Sequence, residues 1–291
     1  MKFTLKQLDV FIATARQGTI SRAAQELNIS QSAASSALKE LERHCDAQVF
    51  DRIGKRLVLN DLGRAVRAKA ESLLMQAHEL ELDMRQETSA GALKVGATTT
   101  IGSYLAVSIL TRFKENYPKS TVTLEIANTK RIAEMVANYE IDVGMIEGVV
   151  NEPDLTFIPW IGDEIKIVCA PQHPYAQKTE LLDADLIQAN WILRERGSAT
   201  REAFTVTMKD VLPYMNPPLE LQHNEAIKRA IESGLGVGCL SSLTLEVALY
   251  RHKMVQLKVP GRNMNRQFFL VVHKDKFRTR TIDRWISLCW G

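Results

Sequence analysis

Residues 19–42 read TISRAAQELNISQSAASSALKELE, two short helical patterns on either side of a turn. In the first, Ser21 to Leu27, the apolar positions Ala23, Ala24 and Leu27 share one face. Asn28 suits a helix end and Ile29 a buried plug in the turn. Ser30 suits the N-cap of the second helix, whose stripe is Ala33, Ala34, Ala37, Leu38 and Leu41. Small alanines where two helices meet permit the close crossing of a helix-turn-helix. The other face of the second helix carries Gln31, Ser32, Ser35 and Ser36, which no core needs. Such short donors and acceptors suit base edges and phosphates, and a helix of this kind enters the DNA major groove by its N-terminal residues. A solvated helix in a bundle that binds no nucleic acid carries similar residues, so the flanking sequence decides between the two.

Upstream, LKQLDVFIATARQG (5–18) places Leu5, Leu8, Phe11, Ile12 and Ala15 at helical spacing and stops at Gly18. Downstream, VFDRIGKRLVLNDLG (49–63) holds two β-rich runs, Phe50–Asp51 and Arg56–Leu59, about a turn at Gly54. That reads as a β-wing setting Arg52, Lys55 and Arg56 beside a phosphate backbone. Arg22 and Lys39 extend the basic set along the two helices. Residues 1–69 hold 12 Lys/Arg against 7 Asp/Glu, and residues 70–291 hold 25 against 27. The positive charge therefore belongs to the N-terminal quarter, as expected if double-stranded DNA is bound there.

Beyond Gly63, residues 61–89 contain no further Gly and no Pro. Leu62, Val66, Leu73, Leu74, Ala77, Leu80 and Met84 recur at roughly heptad spacing. A helix of more than six turns is long for packing on its own domain, and its stripe points to pairing with a second chain. Thr88-Ser89-Ala90-Gly91 is its expected end. From Ala92 the period changes. ALKVGATTT (92–100), TVTLEIAN (121–128), IDVGMIEG (141–148), EIKIVCAP (164–171) and WILRERGS (191–198) are short β-branched runs separated by turns. Helices are expected near 103–116, 129–139, 198–212, 224–233 and 278–288, with a returning strand QFFLVVHK at 267–274. This is an α/β region with largely parallel strands.

The head resembles the LysR-type transcriptional regulators. Phe11, Ala23-Ala24, Leu27, Ser30-Gln31, Ser35, Leu38, Leu41-Glu42, Phe50, Arg52, Leu59 and Gly63 fall where that family's winged helix-turn-helix has them, and the resemblance covers the whole chain. Two positions depart from it: Ser36-Ala37 replace an Arg and a polar residue found in many members, and Asn60 replaces the more usual Thr. The resemblance implies a winged helix-turn-helix over 1–60, a linker and dimerisation helix over 61–90 using Leu62, Val66, Leu73 and Leu80, and an effector-binding domain over 91–291. That domain is of the periplasmic-binding-protein type, with lobe I at 91–161 and 267–291 and lobe II at 162–266. A homodimer or homotetramer in the cytoplasm is expected, with RNA polymerase as a further candidate partner.

In open α/β sheets ligands sit at the carboxyl ends of strands, against helix starts. Three such ends carry hydroxyls and amides: Thr98, Thr99, Thr100 and Ser103; Asn128 and Thr129; and Ser198 and Thr200, with Arg194 and Arg196 close by. Each alone reads as a helix N-cap. Together, where the family binds its effector, they form an uncharged cradle for a small anion. Glu147 is expected to face the same cleft and to bind a ligand amine or pair with Arg194 or Arg196. IGDEIKIVCAPQHP, WILRERGSATRE and NEAIKRAIESGLGVGCLS further resemble the regulators of cysteine biosynthesis and sulfite response. This implies a sulfur oxyanion as effector, with a small carboxylate as the alternative.

Other classes fare worse. The sequence has neither a GxSxG motif nor a phosphate-loop lysine, and GLGVG (234–238) follows a helix instead of opening one. The six histidines are dispersed and the four cysteines show no metal spacing, so no catalytic centre, metal or cofactor is expected. A cytosolic solute-binding protein would account for 91–291 but leaves the basic head without a purpose. No apolar run is long enough to span a membrane, and the N-terminus lacks the pattern of a secretory signal.

Overall fold

The computed structural model describes residues 2–54, 56–84 and 91–291, with the side chains of Leu82 and Asp83 also left aside. The chain packs as two units. The first takes the described residues up to Ala92 with Tyr117–Thr121 and His273–Trp285, and the second takes the remainder.

In the first unit, helices α1 (Leu5–Gln17), α2 (Ile20–Glu26) and α3 (Gln31–Cys45) precede the strands β1 (Phe50–Ile53) and β2 (Arg56–Leu59) and the long α4 (Asp61–Met84). The helices cross as the alanines require: Ala23 and Ala34 are wholly buried, and Phe11, Leu38, Leu41 and Phe50 close the core around them. Phe11 meets Phe50 edge to face at 5.6 Å between ring centres. Asn28 turns the chain at φ 53°, and the Ile29 amide donates to the Ala24 carbonyl at 3.0 Å. Ala33 differs from expectation. It is exposed, because the next residue in the stripe, Ala34, already fills the crossing.

The wing is an antiparallel hairpin with Phe50 opposite Leu59 and Ile53 opposite Arg56. Its turn residue Gly54 has φ +62°, a backbone setting costly for any residue with a Cβ. Asn60, the departure from the family pattern, begins α4: its Oδ1 accepts the Gly63 amide at 2.8 Å and its Nδ2 donates to the Gln48 carbonyl at 2.8 Å. A Cβ at Gly63 would lie 2.1 Å from the Val49 carbonyl oxygen, so only glycine lets α4 approach the wing this closely. The expected helix end at Thr88-Ser89-Ala90 lies outside the described residues.

In chain order the α/β region runs β3 (Ala92–Thr98), α5 (Thr99–Ile101), a π turn (Gly102–Ala106), α6 (Val107–Asn116), β4 (Thr121–Ala127), α7 (Thr129–Ala137), β5 (Val143–Glu147) and β6 (Leu155–Cys169). There follow α8 (Asp183–Gln188), β7 (Trp191–Arg194), α9 (Ala199–Thr207), β8 (Leu219–Leu221), α10 (Asn224–Glu232), β9 (Val237–Ser241), α11 (Ser242–Tyr250), β10 (Val255–Leu257), β11 (Asn265–His273) and α12 (Arg280–Cys289). Short 3-10 turns lie at Pro174–Gln177 and Leu212–Tyr214.

The strand order is β4-β3-β5-β11-β6-β9-β7-β8, with β10 paired to β6. Pairing is parallel where helices cross over, as between β3 and β5 or β7 and β9, but β11 runs antiparallel to β5 and β6 to β9. The sheet is therefore mixed, which corrects the expectation of largely parallel strands. The reason is that β6 and β11 run back between the two lobes instead of completing a strand–helix–strand crossover. At 15 residues, β6 extends for about 50 Å and serves both lobes. Separate cores support them: Ile132, Val136, Ile146 and Val271 on one side, and Trp191, Phe204, Met208 and Cys239 on the other.

Candidate functional site

Two polar surfaces carry the chemistry, one in each unit. On the head, Ser30 occupies the N-cap of α3 with its hydroxyl accepting the Ala33 amide at 3.1 Å and standing 3.0 Å from that of Ser32. Ser30 therefore shapes the helix start, while Gln31 and Ser32 stand exposed beside it and Ser35 is half-buried one turn on. Lys39, Arg22, Arg52 and Arg56 are all exposed. Lys55 lies outside the described residues. The exposed start of α3 thus presents neutral hydrogen-bonding groups, while the basic side chains on α2, α3 and the wing suit phosphates.

On α4 the stripe divides. Val66, Ala70 and Leu74 pack into the head's own core. Leu62, Leu73, Leu80 and Met84 are instead exposed, by 44, 46, 60 and 79 %. Val66 thus belongs to the fold of the head and not to the free apolar face, for which it was expected. Glu71, buried on the inner face, stands 3.5 Å from Arg67, and desolvation pushes its carboxyl above the ordinary range against the pull of Arg67, Lys276 and Arg16.

In the second unit the three hydroxyl-bearing helix starts behave differently from one another. Asn128 is a true cap, its Oδ1 accepting the Arg131 amide at 2.9 Å. Thr98 and Ser198 hold N-cap positions, yet neither side chain caps its helix. The Thr98 hydroxyl donates instead to Glu147 Oε1 at 2.8 Å, and that of Thr200 reaches Glu147 Oε2 at 3.4 Å. Glu147, at the end of β5, faces the cleft as expected, but pairs with neither Arg194 nor Arg196. Its partner is Arg266 at the start of β11, whose Nη1 lies 2.6 Å from Glu147 Oε2 and 3.2 Å from Thr200 Oγ1. Arg266 Nε donates to Asp163 Oδ2 at 2.7 Å, while Asp163 Oδ1 accepts from Ser241 at 3.0 Å and Ser242 at 2.9 Å.

Arg194 is spent elsewhere. It is buried, grips Glu195 through Nε and Nη2 at 2.7 and 2.9 Å, and donates to Asn224 Oδ1 at 2.9 Å. Arg196 and Ser103 are exposed and Thr99 is half-buried. Several buried donors have no partner among the described residues: the hydroxyls of Thr100 and Thr129, Asn224 Nδ2 and Arg266 Nη2. Thr129, Glu147, Gly197 and Arg266 line an open cleft of about 1070 Å³. Arg266 and Asp163 carry no sequence signal of their own, since an isolated Arg before a strand and an Asp after a Gly are common surface residues.

The "LysR substrate binding domain" family matches residues 86–290, and "Bacterial regulatory helix-turn-helix protein, lysR family" matches residues 5–64. The chain belongs to the LysR family. It is a DNA-binding transcriptional regulator with an effector-binding domain, and not an enzyme. Over 289 residues it is 36 % identical to the uncharacterized HTH-type transcriptional regulator YeiE of Escherichia coli (strain K12), covering 99 % of this chain and 98 % of that one. The RuBisCO operon transcriptional regulator of Allochromatium vinosum is 28 % identical, over 95 % and 92 %.

Among solved structures, full-length OxyR from Pseudomonas aeruginosa shares this fold with a TM-score of 0.74 at 21 % identity, covering 99 % of this chain and 94 % of that one. The regulatory domain of CcmR from Synechocystis PCC6803, solved in complex with 2-PG, is 27 % identical with a TM-score of 0.63, covering 69 % of this chain and 96 % of that one. The exposed α3 start lies within the residues matched by the helix-turn-helix family, and the cleft lies within those matched by the substrate binding domain. No helix among the described residues is long and apolar enough to cross a membrane.

Proposed function

We propose that this regulator binds its operator as a dimer and that a small oxyanion in the cleft modulates the binding. The working parts are a DNA-reading head over 1–60, a pairing helix over 61–90 and a sensor over 91–291. Gln31, Ser32 and Ser35 read base edges; Arg22, Lys39, Arg52, Lys55 and Arg56 hold phosphates; Leu62, Leu73 and Leu80 form the seam with the second chain. The observation that carries the effector class is the surplus of buried donors. An unsatisfied buried hydroxyl or N–H costs about 1–3 kcal/mol, and oxygen acceptors on a ligand remove that cost. Thr129, which lines the cleft, offers such a hydroxyl in the first turn of α7, where free amides and the helix dipole also favour an anion, and Thr100 offers another in α5, just past the end of β3.

A sulfur oxyanion is the preferred effector, on the resemblance of the second lobe to the cysteine and sulfite regulators. A small carboxylate is the alternative, and the CcmR domain solved with 2-PG supports a small-molecule ligand for this architecture. Calorimetry of the full-length protein against sulfite, sulfate, thiosulfate and a panel of small carboxylates tests the reading. Saturable binding of one of them, with a change in operator affinity by gel shift, is the expected result. Failure of every anion to bind would remove the oxyanion assignment.

A further inference from the structure

Arg266 belongs to none of the helix starts assigned to the effector, yet it gathers both lobes. From the first strand residues of β11 it reaches Glu147 at the end of β5, Thr200 in the first turn of α9, and Asp163 on the crossing strand β6. Its side chain is 7 % exposed and that of Glu147 is 4 % exposed. Glu147 in turn accepts from Thr98 and Thr200, two of the hydroxyls assigned to the cradle. A carboxylate of the protein itself is thus seated on two hydroxyls and on the Arg266 guanidinium, which also touches one of them. We propose that Glu147 is an internal stand-in for the anionic group of the effector, and that Arg266 is the cation for which the two compete. This rests on the oxyanion reading of the cleft and deepens it by naming the residues that set its charge requirement.

Charge and geometry both lead there. Arg266 is shared by two carboxylates, Glu147 and Asp163, so a further anion arriving with Glu147 in place meets two like charges near a single positive one. It binds well only if Glu147 gives way. The guanidinium is prepared for the exchange. Nε is anchored on Asp163 and holds the plane fixed, while Nη2 is buried without a hydrogen-bond partner among the described residues and Nη1 faces Glu147. An oxyanion with two oxygens on one edge engages Nη1 and Nη2 together, an end-on bidentate geometry that a lysine ammonium does not offer. A ligand with a single acceptor gains little from it. The exchange also frees Glu147, on the first lobe, from Thr200 on the second, so a lobe-to-lobe tie within the protein gives way to one made through the ligand.

The test is calorimetry of the full-length protein with sodium sulfite and sodium sulfate at fixed ionic strength, for wild type, Glu147→Gln, Glu147→Ala and Arg266→Lys. Thermal melts identify any variant that has lost its fold. Glu147→Gln keeps the size and a carbonyl acceptor for Thr98 but not the charge, so its affinity for the anions should rise about tenfold or more. Arg266→Lys keeps the charge but not the bidentate Nη1/Nη2 pair, so its affinity should fall about tenfold. If wild type binds neither anion, acquisition of binding by Glu147→Gln or Glu147→Ala supports the competition, and no binding by either overturns it. If wild type binds and Thr100→Val weakens it, while Glu147→Gln and Arg266→Lys leave affinity unchanged, the competition is overturned and the oxyanion reading stands. Weaker binding by Glu147→Gln would make Glu147 a ligand-holding group and overturn the proposal as well.

Discussion

The Ser30 hydroxyl accepts the amide of Ala33 at 3.1 Å, so the residue that opens α3 also holds that helix's first turn together. Ser30→Ala should therefore cost about 1 kcal/mol of head stability, read as a lower urea midpoint. Ser30→Asp caps equally well but puts a negative charge where DNA phosphates approach. It should keep the stability of wild type and lose operator affinity in gel shifts. Equal operator affinity in Ser30→Asp and wild type would place the DNA away from this helix start.

The exposed basic side chains Arg22, Lys39, Arg52 and Arg56 should act as phosphate contacts. Neutralising any one should weaken binding to all sequences alike and lower the salt slope of log affinity by about 1. Gln31→Ala should instead leave that slope unchanged and alter the ranking of operator variants. Fluorescence anisotropy across a salt series separates the two behaviours, and four unchanged slopes would refute the phosphate assignment.

The divided stripe of α4 sets up a contrast between two kinds of substitution. Leu73 and Leu80 are exposed, so Leu73→Asp or Leu80→Asp should leave the head folded. In the proposed seam the new charge has no partner, and the dimer should weaken by about 3–5 kcal/mol. Val66 packs into the head's own core, so Val66→Asp should unfold the head itself. Light scattering with circular dichroism distinguishes a folded monomer from an unfolded chain, and a fully dimeric Leu80→Asp would move the interface elsewhere.

How much of this was visible beforehand follows from the range of each interaction. The head was legible because its determinants are local: caps, turn residues and alanine spacing act within four residues. Ala33 was misplaced because at the first turn of a helix the apolar stripe and the cap region overlap. The polar cleft was legible only in its helix starts. Glu147 could be placed by its strand, but its partner could not, since Arg266 lies 119 residues away and Asp163 is 103 residues from Arg266. The strand β6 was half missed because Pro159, Gly162 and Asp163 interrupt its pattern, although the pairing with β9 and β10 begins only beyond them.

Glu71 gives the head a pH dependence of definite sign. Desolvation raises its pKa in the folded state from an ordinary value of 4.5. The folded form therefore binds the proton more tightly than the unfolded chain, and the contribution is present below the unfolded pKa and lost as pH rises through the folded one. Glu71→Gln should then stabilise the protein at about pH 7 and make no difference at about pH 4. Urea denaturation at the two pH values checks this. A variant less stable than wild type at neutral pH would mean that the pairing with Arg67 outweighs burial.

Thr98 and Thr100 stand two residues apart in the same segment, yet their hydroxyls do opposite things. That of Thr98 donates to Glu147 at 2.8 Å, whereas that of Thr100 is buried with no hydrogen-bond partner among the described residues. Thr98→Val should destabilise the effector-free protein by about 1–3 kcal/mol, because it leaves a buried carboxylate short of a donor. Thr100→Val removes a hydroxyl that satisfies nothing in the effector-free state, so the melting temperature should hold or rise. Its cost should appear only with ligand, as an affinity loss of about 1–2 kcal/mol, or roughly five- to thirtyfold. Differential scanning calorimetry and titration of the two variants with the same anion separate these effects. If Thr100→Val loses stability but not effector affinity, its hydroxyl is part of the scaffold and the ligand contacts lie with other residues.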